Sequence, residues 1–74
     1  MKISGYLAEA DRHIADAAAR IATLRGQIAD LEHNGSDPST ARDALEALEA
    51  TLQLMVDHRA LIARMVEILD RPDY

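Results

Sequence analysis

Apolar residues recur through the first half of the chain at Ile3, Leu7, Ala10, Ile14, Ala17, Ile21, Leu24, Ile28 and Leu31, alternately four and three residues apart. The second half repeats that spacing with Ala41, Leu45, Leu48, Leu52, Met55, Arg59, Ile62, Val66 and Leu69, interrupted by the one arginine. A mean spacing of about 3.5 residues holds one stripe along one side of an α-helix, so the pattern predicts two helices packed along a coiled-coil-like seam. Between them, His33-Asn34-Gly35-Ser36-Asp37-Pro38-Ser39 gathers the helix breakers. Gly35 suits the left-handed residue that closes a helix, and His33 sits in the last turn, at the negative end of the dipole. Asp37 suits an N-cap, and Pro38 suits the first helical position, where a missing N–H costs nothing. Ser4 is a weaker cap for the first helix, and Arg71-Pro72 should stop the second.

The resulting expectation is a single all-α domain over 1–74, an antiparallel two-helix hairpin. Helix 1 covers 4–33, the loop 34–38 and helix 2 38–70, each helix about 45 Å long. Folding the chain at residue 36 sets Leu24 against Leu48, Ala17 against Met55 and Ile3 against Leu69. The same register brings Arg59 near Asp11, so that an ion pair fixes the alignment more than it stabilises it.

Helix 2 carries a second apolar column, Ala47, Leu54, Leu61 and Ile68, every seventh residue. Ala44, His58 and Met65 lie between it and the main seam, so the apolar stripe is wider than one partner helix covers. Helix 1 carries a flank of small residues, Ala8, Ala15, Ala22 and Ala29, at the same interval. The expected interface is therefore Ala47, Leu54, His58, Leu61, Met65 and Ile68, used for homodimerisation into a four-helix bundle. A bare two-helix hairpin encloses almost no interior and has no staple to replace one. The competing occupant of this face is the amphipathic helix of another protein, which would make the chain a regulatory adaptor.

Composition narrows the chemistry. The chain has 74 residues, 49% hydrophobic and 28% charged, with 14 Ala, 3 Gly and 2 Pro, and no Cys, Phe or Trp. That is a helix-forming profile without disulfides, thiolate metal sites or cysteine nucleophiles. The net charge is −5, and the arginines are interleaved with acids rather than gathered in a stripe. A nucleic-acid or anionic-membrane partner is not expected on that surface. No apolar run approaches the ~20 residues of a membrane span, and the first residues lack a signal-peptide core, so a cytoplasmic location is expected. There is no Gly-rich phosphate loop, and Ser4, Ser36 and Ser39 stand where caps and turns place serine. No catalytic residue, metal site or cofactor is assigned, and an enzyme is not expected.

Histidine is the one residue type left with chemical promise. His58 lies within the apolar stripe, flanked on its own helix by Leu54, Met55, Leu61 and Ile62. The register brings it near His13, so a two-fold axis would gather four imidazoles, a candidate metal or haem site. Neither carboxylate nor histidine accompanies His58 at helical spacing, and a core or interface histidine is the simpler reading. Burial among leucines would disfavour the imidazolium, which makes His58 and His13 candidates for acid sensitivity. His13 has Glu9 and Asp16 at helical spacing, and Asp30-x-x-His33 has metal-like spacing, but solvated pairs account for both.

Arg12-His13-Ile14-Ala15, Ile28-Ala29-Asp30-Leu31-Glu32-x-x-Gly35-x-Asp37, Ala41-Arg42 and His58-Arg59 together resemble a family of small uncharacterised bacterial helical-hairpin proteins. The resemblance covers nearly the whole chain and implies a bacterial cytosolic hairpin, without supplying an activity. In architecture alone the chain is similar to the small plasmid-encoded RNA-binding protein Rop, a dimer of helical hairpins. Leu24-Arg25-x-x-Ile28-x-x-Leu31 and His58-Arg59-x-Leu61-Ile62 are similar to pieces of all-helical chorismate mutases. In those enzymes the pieces lie on a continuous helix beside a cationic pocket. Here a loop intervenes and Lys2 is the only lysine, so that reading is rejected. The functional expectation is a non-enzymatic protein–protein interaction and assembly module, with the adaptor and the histidine-based metal or haem binder as alternatives.

Overall fold

A computed structural model describes residues 4–69. Helix α1 spans Ser4–His33 and α2 spans Ser39–Leu69. The seam position Ile3 and the expected stop at Asp70-Arg71-Pro72 lie outside the described residues.

The turn between the helices is built by local rules. Gly35 has φ 72°, the left-handed value that a Cβ makes costly. Its N–H donates to the Glu32 carbonyl at 3.1 Å, and the Ser36 N–H donates to the Leu31 carbonyl at 2.8 Å. These two bonds are the Schellman closure, which satisfies carbonyls that the end of α1 would otherwise leave unpaired. On the far side, Asp37 Oδ1 accepts the Ser39 N–H at 3.0 Å and also the Ser39 hydroxyl. The Arg42 N–H donates to the Pro38 carbonyl at 2.8 Å, starting the α2 ladder. Asp37 thus caps α2 through its side chain, and Pro38, expected as the first helical residue, stands immediately before Ser39 with its carbonyl accepting the first bond of the ladder. The two hydrogen bonds from Ser39, hydroxyl first, hold the Asp37 carboxyl below the ordinary carboxylate range, and Arg42 adds to the effect.

Ion pairs cross between the helices from Arg42 to Glu32 at 2.8 Å, from Arg25 to Glu49 at 3.0 Å, and from Arg59 Nε to Asp11 Oδ1. Partner numbers fall on α1 as they rise on α2, so the helices run antiparallel. Each pair lies within two residues of the register that folds the chain at residue 36. All six side chains keep substantial exposure, so the pairs contribute alignment more than stability. Arg59 occupies an apolar seam position, and its guanidinium reaches Asp11, whose hydrogen bond and charge raise its already high pKa.

Burial follows the seam. On α1, Leu7, Ala10, Ile14, Ala17, Ile21, Leu24, Ile28 and Leu31 are buried or half-buried, and the other residues from 5 to 33 are exposed. On α2, Ala41, Leu45, Leu48, Leu52, Met55, Arg59, Ile62 and Val66 are half-buried, joined by Ala63. Leu69 departs from the pattern: it is 58% exposed, at the end of the described part of α2. Full burial is reached by Ala17, Ile21 and Ile28, all on α1, whereas α2 has no buried residue.

The molecule is a thin rod, 15 × 14 Å in cross-section, with a radius of gyration of 17.5 Å. A globule of this length would have a radius near ~11 Å. The fold is therefore a bare helical pair without a second layer.

Candidate interaction face

Helix α2 presents two stripes. The inner one packs on α1. The outer one comprises positions 47, 51, 54, 58, 61, 65 and 68, again alternately four and three residues apart, and all seven are exposed. Leu54 is 69% exposed, Leu61 59%, Met65 51% and Ile68 62%. Ala47 opens the stripe. The Thr51 hydroxyl donates to the Ala47 carbonyl at 2.9 Å, so its polar atom is already engaged one turn back and its methyl is available for contact. Thr51 was passed over in the sequence because it is polar. Its place seven residues from both Ala44 and His58 was the signal that identifies it.

The chain exposes 5768 Å², more than the about 4,500 Å² of a compact protein of 8.1 kDa, as a rod this thin requires.

The histidines fall into different settings. His58 is exposed in the middle of the outer stripe. Burial among leucines, on which its acid sensitivity was argued, does not occur inside one hairpin and requires a second molecule over the stripe. His13 is exposed on α1 and borders a shallow groove with Asp16, Ala17, Arg20, Thr51 and Met55, a lining that does not include His58. Among the described residues, no group of three or more histidine or acidic side chains stands close enough to hold a metal ion. His33 is the basic residue of the last turn of α1. The alanine flank of α1, Ala8, Ala15, Ala22 and Ala29, is exposed throughout.

The grooves on either side of the seam are open troughs between the helices rather than enclosed cavities. One is lined by Ile21, Arg25, Glu49, Leu52 and Val56. Another is lined by Arg20, Thr23, Leu24, Gln27 and Leu48. Neither gathers a nucleophile, a general base and an oxyanion donor, the set that acyl or phosphoryl chemistry requires. Among the described residues, no helix is long and apolar enough to cross a membrane.

The class of protein these features define is an all-α antiparallel helical hairpin with an uncovered apolar stripe on its second helix. No protein-family model, curated protein or solved structure matches the chain.

Proposed function

We propose that the chain is a non-enzymatic assembly module whose α2 outer stripe pairs with a second copy, joining two hairpins into four helices. The observation that carries this reading is the run of Leu54, Leu61, Met65 and Ile68, each more than half exposed, on a helix already packed along its other side. Scattered exposed leucines need no explanation, but an apolar column at coiled-coil spacing does. The inner seam makes a thin core, with Ala17, Ile21 and Ile28 its buried residues, so cover over the outer stripe has much to add. Pairing adds a second seam without lengthening the chain. Isologous pairing is also the commonest way for a soluble chain to hide such a face, because every apolar residue then counts twice.

Sedimentation equilibrium over a concentration series tests the reading. The expected result is a monomer–dimer equilibrium reaching twice the chain mass of 8.1 kDa. A chain that keeps the single mass at about 100 μM, above the micromolar limit for interfaces of this size, removes it. In that case the adaptor reading, with a foreign amphipathic helix on the same stripe, takes its place.

A further inference from the structure

His58 is the one titratable residue of the outer stripe, whose other members, Ala47, Thr51, Leu54, Leu61, Met65 and Ile68, carry no charge. Along α2 it lies between Leu54 and Leu61, which are 69% and 59% exposed. A helix laid along the stripe so as to cover both leucines therefore covers His58 too, whatever its direction or register. Self-assembly through this stripe and burial of the imidazole are one event.

The charged groups around the stripe leave this ring without a partner. Among the described residues, none makes a hydrogen bond or ion pair with His58. On α2, Asp57 points about 100° round the helix from it, and its carboxylate accepts Gln53 Nε2 at 3.1 Å. Arg64 stands on that same rim, and Arg59 is bound to Asp11 at the inner seam. On α1, the side that carries His13 also carries Glu9, Asp16 and Arg20, all exposed. His13, Asp16 and Arg20 border the groove with Thr51 and Met55, and His58 is not part of that lining. The stripe of a second copy adds apolar side chains, a threonine and another imidazole, and no carboxylate. In one hairpin, water reaches the exposed ring and solvates an imidazolium. Under a partner helix the charged form loses that water and gains no counter-charge, a cost that the neutral ring avoids.

We infer that assembly through the outer stripe is proton-linked: two hairpins pair with His58 neutral, and acidification through the histidine range releases them. The inference rests on the self-assembly reading above and adds its regulation. The sign follows from proton binding. The separate chains bind more protons than the dimer, so association weakens as pH falls, with up to two protons taken up per dimer released. For a histidine value in water of ~6.5, and rings kept neutral in the dimer, the dissociation constant rises up to about 100-fold between about pH 7.5 and 5.5.

Sedimentation equilibrium across that pH range tests the linkage. The unaltered chain is expected to show a rise of about tenfold or more in its dissociation constant toward the acid end. His58→Gln keeps an uncharged polar side chain, and its constant should stay within about twofold over the same range, whereas His13→Gln should respond as the unaltered chain does. Position 58 is exposed in the hairpin, so the substitution leaves the inner seam intact. A second readout needs no variant. The ring resonances of His58 in NMR should titrate at lower pH above the dissociation constant than below it, while those of His33, in the last turn of α1, should not move. A dissociation constant independent of pH would overturn the linkage. So would a pH response that survives His58→Gln, or association that tightens on acidification because a carboxylate such as Glu9 or Asp16 closes on the imidazolium. Each of those results leaves self-assembly standing. A single-chain mass at about 100 μM and about pH 7.5 removes the self-assembly reading, and the linkage with it.

Discussion

Replacing Leu54 with alanine separates the inner seam from the outer one. Leu54 is 69% exposed in the hairpin, so the greater part of its burial is still to be gained from a partner. Full burial of a leucine contributes about 1.5–3 kcal/mol, of which ~1–2 kcal/mol remains available at that exposure. A two-fold interface counts the residue twice, and the alanine that replaces it retains its β-carbon. The expected loss is therefore about 2–3 kcal/mol per dimer, a ~30- to 160-fold rise in the dissociation constant. The hairpin itself should scarcely respond, because alanine is the better helix former and an exposed substitution moves stability by no more than about 0.5 kcal/mol. Sedimentation equilibrium gives the dissociation constant. Urea unfolding followed by circular dichroism, at protein concentrations below and above that constant, gives the stability of each state. Agreement requires that the variant match the unaltered chain at low concentration and unfold earlier at high concentration. An unchanged dissociation constant, or a loss of stability independent of concentration, would refute the reasoning.

Three further substitutions test the hairpin. Ile21→Ala, at the most buried position, should lower its stability by about 2–4 kcal/mol in urea unfolding at low concentration, and a loss under ~1 kcal/mol would mean the inner seam is not the core. Gly35→Ala should cost about 1–2 kcal/mol from the left-handed backbone alone, because no neighbouring atom stands within 4 Å of the added Cβ. Asp37→Ala removes a cap whose pKa lies below its ordinary value, so the stability the cap contributes is present above that value and disappears as pH falls through the folded-state pKa. The gap in urea midpoint between Asp37→Ala and the unaltered chain should hold from about pH 7 to 5 and close below about pH 4, whereas a gap constant to pH 2 would show that charge plays no part.

The parts of this fold that were legible in the sequence are those governed by local rules. The Schellman turn at Gly35 and the cap at Asp37 depend on a few adjacent residues and on the fixed geometry of a helix end. The inner seam was legible because helical periodicity and a short loop together leave one antiparallel register, which also placed Arg59 beside Asp11. Leu69 has the spacing of a seam position and is exposed, and Ile3, the residue that the register sets against it, lies outside the described residues. Thr51 was missed because its hydroxyl counts as polar in a sequence, whereas in the helix it bonds back to Ala47. His58 is exposed within one hairpin because burial is set by what packs over a residue, and α1 packs on the other stripe; of the core and interface settings that its apolar neighbours on α2 allow, the hairpin leaves the interface. Spacing revealed that α2 has two apolar sides.

The two seams divide the hairpin unevenly. Of the buried residues, Ile21 and Ile28 lie in the half nearer the loop and Ala17 at mid-helix, and Arg25–Glu49 and Arg42–Glu32 bridge the helices on the loop side. Toward the open end the inner seam offers Leu7, Ala10 and Ile14 against Arg59, Ile62 and Val66, none of them fully buried, with a charged residue in an apolar position. Leu54, Leu61, Met65 and Ile68 all flank this weaker half. A segment with few buried contacts opens locally at low free-energy cost, so the open end should fray before the loop end does. A partner helix over the outer stripe would brace that segment, and association would become part of its folding. Amide exchange measured at rising protein concentration should then slow for residues 54–69 and for the facing turns of α1, and change little around Ile21 and Ile28. Uniform protection along both helices at every concentration would show that the hairpin closes its open end without help, and the outer stripe would lose its role in stabilising the fold.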